Sequence, residues 1–94
     1  MSVYRITEFA TSDMGKVIDF WEALREAVEA AGAESVDVVS VGEGKGMVVA
    51  KYPTQAMMDA AIDINKEAFG KMIVAGVVKT GSIGGKSGDV VLSF

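Results

Sequence analysis

Ninety-four residues, half of them apolar and none of them histidine or cysteine, allow one domain with a thin core. They exclude the side chains most often used for metal binding and nucleophilic catalysis. A net charge of −4 works against nucleic acid and anionic membrane surfaces, both of which need an excess of Lys and Arg.

Val3 to Ala10 alternates and is rich in β-prone residues, which predicts a first strand. Thr11, Ser12 and Asp13 follow, each able to cap a helix by accepting from its unpaired amides. From Asp13 to Ala31 the period becomes helical. Met14, Val17, Ile18, Trp21, Leu24 and Val28 share one face, while Asp19, Glu22, Glu26 and Glu29 lie opposite. Gly32 supplies a stop. Ser35 to Val41 reads as a second strand and Gly46 to Tyr52 as a third, joined by the short hairpin Gly42-Glu43-Gly44-Lys45. Pro53 ends the third strand because it brings no amide to the ladder. A second helix runs from Thr54 to Ala75, with Met58, Ala61, Ile62, Phe69, Met72 and Ile73 on its apolar face. Gly70 inside it costs about 1 kcal/mol relative to alanine and marks close packing or a break. Val77 to Gly88, rich in glycine and lysine, carries no assigned element, and Asp89 to Phe94 predicts a final strand.

Strand–helix–strand thus occurs twice, the βαββαβ order of a ferredoxin-like α+β fold: a four-stranded antiparallel sheet with two helices on one face. The element order, the length and the closing Ser87-Gly88-Asp89-Val90-Val91-Leu92-Ser93-Phe94 segment resemble the dimeric α/β barrel superfamily. Antibiotic-biosynthesis monooxygenases, muconolactone isomerases and stress-responsive barrel proteins belong to it. The resemblance implies two units packed sheet to sheet and brings no catalytic motif with it; a fold by itself does not transfer a reaction.

Pairing also follows from the residues. Helices on one side cover one face of the sheet. The first strand divides into Val3/Arg5/Thr7/Phe9 and Tyr4/Ile6/Glu8/Ala10, the third into Met47/Val49/Lys51 and Val48/Ala50/Tyr52. Every one of these sets carries apolar groups, whereas a solvated face is normally polar. A mean hydropathy of +0.33 points the same way, and the simplest cover is a two-fold partner.

Five residues stand out as ligand-binding candidates: Asn65, Trp21, Tyr4, Arg5 and Tyr52. Asn65 lies among Met58, Ile62, Phe69 and Met72, where a buried amide needs partners from a strand carbonyl, a loop, a water or a ligand. Trp21 suits core packing, with the stem of Arg25 over its ring. The resemblance implies another role, since tryptophan and asparagine side chains hold an aromatic substrate in cofactor-independent monooxygenases of that superfamily. Here, however, the first strand has no asparagine, and the histidine of haem-degrading relatives is missing. Arg5, Glu8, Asp37 and Lys51, with Tyr4 and Tyr52, either line a pocket or form solvated edges, because a one-residue register change swaps the faces.

Gly85-Lys86-Ser87 resembles the end of a phosphate-binding loop. Thr80 stands where the first glycine belongs and a strand follows in place of a helix, so a flexible loop is expected. No calcium-loop spacing occurs, and the methionines suit irregular core gaps. No metal and no cofactor are expected. No apolar stretch reaches the roughly 18 residues of a spanning helix, and the first residues read as strand and not as a secretion signal. The sequence therefore reads as a cytoplasmic homodimer, paired through its sheets, with no nucleic-acid or membrane partner. It would act as a binding or interaction module, its ligand a small apolar or aromatic molecule. The alternative is a cofactor-independent monooxygenase or isomerase acting on an aromatic or polyketide-like substrate. A third reading, the regulatory domain of a transcription factor, would need its DNA-binding segment on another chain.

Overall fold

Strand β1 (Val3–Ala10) alternates as expected, and the fold settles which of its faces is inside: Val3, Thr7 and Phe9 are buried. The computed structural model describes residues 2–94. After β1, α1 (Met14–Ala23) and α2 (Arg25–Ala30) lead to β2 (Ser35–Gly42), which turns into β3 (Lys45–Tyr52). Helix α3 (Gln55–Val74) and strand β4 (Gly84–Asp89) complete the order. The strands pair antiparallel as β2-β3-β1-β4 with the helices on one face, a ferredoxin-like α+β fold.

Local signals open the elements where sequence rules place them. Asp13 caps α1 by accepting from the Lys16 amide at 3.2 Å, and Thr54 caps α3 by accepting from the Met57 amide at 3.2 Å. Thr11 has another task. It is buried, its hydroxyl donates to the Val77 carbonyl, and its oxygen accepts from the Asp13 amide at 3.0 Å. That latch ties the end of β1 to the segment leaving α3. In the β2–β3 hairpin Gly44 sits at φ +70°, a backbone conformation that side chains disfavour, and its carbonyl accepts from the Thr11 amide at 2.8 Å.

The core lies between sheet and helices. Phe9 and Val48 meet Val17 and Trp21 of α1, Val28 of α2, and Ala68, Phe69 and Met72 of α3. Phe69 is the hinge of this cluster: its ring stands edge-on to Trp21 at 5.6 Å and tilted to Phe9 at 6.0 Å. Such pairs contribute about 0.5–1.5 kcal/mol each beyond burial. A second cluster joins Val3, Ala50 and Tyr52 to Met58 and Ala61. Gly46, opposite Phe9 in the register, leaves room for that ring; a Cβ there would stand 2.5 Å from Phe9 Cζ.

Three expectations need correction. The helix expected over Asp13–Ala31 breaks at Leu24, which adopts φ −98°, ψ 1° and donates its amide to Trp21 only three residues back. Ala23, Leu24 and Arg25 are all good helix formers, so the cause is not local propensity. The final strand is not Asp89–Phe94 but Gly84–Asp89, and the Gly85-Lys86-Ser87 segment is strand, not flexible loop. Here the register decides. Asp89 pairs with Val3 and Val90 donates to the Ser2 carbonyl at 2.9 Å, so the ladder to β1 ends there. Residues 91–94 pass beyond it with Val91 and Leu92 90% and 72% exposed. A glycine-rich run pairs because the β1 edge is available, whatever its own propensity.

Candidate functional site

Alternation along β1 sends Arg5 and Thr7 inward, under the helical stripe Ile62, Asn65, Phe69 and Ile73 of α3. With Ile83, from the segment before β4, these residues line an open cleft of about 230 Å³. Lys66 and Gly70 complete its lining. The inward course of Arg5 depends on Gly85, which faces Thr7 across the β1–β4 ladder. A Cβ at Gly85 would collide with the guanidinium, lying 2.8 Å from Arg5 Cζ. Gly70 has the opposite environment, with no heavy atom within 4 Å of a Cβ built there.

Charge is unbalanced in this pocket. The ion pairs among the described residues are Arg25–Glu22, Lys51–Glu34 and Lys71–Glu67, so the half-buried Arg5 has no acidic partner there. Nor does the half-buried Asn65 amide take part in a side-chain hydrogen bond among those residues. Of the partners open to Asn65, neither a strand carbonyl nor a loop is bonded by its side chain among the described residues, and the residue lines the pocket.

A second cleft, about 460 Å³, runs between α1–α2 and the edge strand β2. Trp21, Val28, Val36 and Val38 form its apolar part, and Glu22, Arg25, Glu29 and Glu34 its charged part. Arg25 does not simply lay its stem over Trp21; it grips Glu22 with two hydrogen bonds of 2.6 and 3.1 Å. The hydrogen bond to Glu22, then the charge of that carboxylate, raises the guanidinium pKa above its ordinary value. Trp21 itself is buried core, and its Nε1–H has no partner among the described residues.

Of the five sequence candidates, the fold brings two together. Arg5 and Asn65 share the α3 pocket; Trp21 belongs to the core and the second cleft. Tyr52 is 1% exposed in the second core cluster and lines neither cleft. Tyr4 lies on the opposite face of the sheet, with Lys51 Nζ 5.9 Å from its ring centroid. Glu8, Asp37 and Lys51 share that outer face by strand alternation. Sequence reasoning missed Thr7, Ile83 and Gly85. Thr7 was detectable as a neighbour of Arg5 on one strand face, whereas Ile83 and Gly85 fall in the stretch to which no element was assigned. No group of three acidic, histidine or cysteine side chains placed to hold a metal occurs among the described residues.

The sequence matches no protein-family model and no curated protein. Solved structures do resemble the fold. A protein of unknown function from Nitrosomonas europaea is 11% identical with a TM-score of 0.72, over 99% of this chain and 92% of that one. A dimeric ferredoxin-like protein from an uncultured marine organism is 18% identical with a TM-score of 0.67, over 99% and 90%. A Caulobacter crescentus protein, provisionally named an antibiotic biosynthesis monooxygenase, is 15% identical with a TM-score of 0.71, over 97% and 91%. At these identities the likeness establishes the ferredoxin-like fold and nothing finer.

Proposed function

We propose that this protein is a homodimeric small-molecule-binding module whose ligand occupies the pocket between α3 and β1. The observation that supports it is the meeting of Arg5 and Asn65, both without side-chain partners among the described residues, against the apolar wall of Ile62, Phe69, Ile73 and Ile83. Specific sites of this kind combine apolar walls with a few convergent polar groups. Pairing is supported by the outer face of the sheet, where Tyr4, Ile6, Met47 and Val49 are only half-buried and Val39 is exposed. The exposed Val91 and Leu92 add apolar surface for a second copy to cover, and the marine neighbour is described as dimeric. A net charge of −4 supports a partner other than nucleic acid.

Native mass spectrometry tests both parts. The expected species is twice the 9.8 kDa chain, and Val49→Asp, which places a charge on the outer face, is expected to shift it towards the single chain. Reproducible added mass that disappears on Ile73→Trp supports the pocket; a clean monomer at micromolar concentration overturns the dimer. The name of the Caulobacter neighbour supports a second reading, a monooxygenase using the same pocket. Product formation from a bound aromatic ligand, with loss on Asn65→Ala, separates it from binding alone.

A further inference from the structure

Resting on the pocket reading, we infer that the ligand is a small carboxylate with an apolar, single-ring body, its acid group held by Arg5. In a chain of net charge −4, Arg5 is a half-buried cation without an acidic partner among the described residues. A guanidinium in this state favours a planar anion that accepts two parallel hydrogen bonds. Strand alternation turns it inward, and its position against β4 needs a residue without Cβ at Gly85. Asn65 adds an amide that can donate to the same acid, and Lys66 adds a solvated positive charge at the mouth. Apart from the Thr7 hydroxyl the rest of the lining is apolar and includes one aromatic ring, Phe69, so a largely apolar ligand body fits it. The volume, about 230 Å³, lies below the roughly 300–1,000 Å³ of drug-sized sites and suits one ring.

Benzoate and its uncharged counterpart benzamide are the probes, followed by amide chemical shifts of the full-length protein. Benzoate is expected to shift the amides of Asn65, Phe69 and Ile73 and to bind about tenfold or more tightly than benzamide. Arg5→Gln is expected to remove that preference while leaving benzamide binding as it was. Gly85→Ala keeps the positive charge but displaces the guanidinium, so it too should weaken benzoate selectively; this second variant serves if Arg5→Gln does not fold. Equal binding of the two probes, at the same amides, overturns the carboxylate inference and leaves the pocket standing. Absence of shifts with either probe at millimolar concentration overturns both.

Discussion

The two clefts flanking the helix layer each hold one arginine beside an apolar wall, and they differ in what that arginine meets. Arg25 opens α2, and the tight turn at Leu24 keeps Glu22, three positions earlier near the end of α1, within hydrogen-bonding reach. Arg5 sits on a strand, where the residue three positions later points to the other side of the sheet. That residue is Glu8, and it is therefore out of reach. The local course of the backbone decides whether an acid close in sequence is close in space. One cation is neutralised locally and the other is left for a ligand.

Four substitutions test this contrast, from the largest effect to the smallest. Trp21 is both a wall of the β2 cleft and part of the central core, so Trp21→Ala should cost about 3–5 kcal/mol in denaturant unfolding. A loss under about 1 kcal/mol would mean that the cleft wall does not contribute to the core. Gly46→Ala should cost about 1–3 kcal/mol, because the new methyl meets the buried Phe9 ring. Gly70→Ala, at the α3 pocket, should instead raise stability by up to about 1 kcal/mol, since the site is helical and open. A destabilised Gly70→Ala would show that the pocket mouth is already filled. Last, Glu22→Gln leaves Arg25 without its carboxylate but still solvated, and it should leave benzoate binding and the melting temperature unchanged within error. New benzoate-induced shifts around Trp21 in that variant would mean that lack of an acidic partner suffices, and that partial burial of the arginine contributes nothing.

Much of the fold could be read from short-range pattern. The bounds of β1 coincide with the alternating run, and Thr54 and Asp13 cap the helices as their side-chain chemistry predicts. Less of the pocket was visible. Asn65 stood out as a polar residue on an apolar stripe, but nothing near it in sequence indicated that Arg5 would lie beneath it. Tyr4 and Tyr52 were grouped with Arg5 by residue type. The register then sent Tyr4 to the outer face and Tyr52 into the core.

What the sequence alone determined is what two periods and a few caps encode: the order of elements, the turn between β2 and β3, and the division of the first and third strands into two faces. Only the tertiary structure decided which face is covered by helices, where β4 pairs, and that Arg5, Asn65 and Gly85 converge. Those outcomes depend on contacts between residues far apart along the chain. The clearest case is β4: a glycine-rich run pairs with β1 while the more β-prone Val91–Phe94 passes beyond the ladder, because the partner strand, not local propensity, sets where pairing stops.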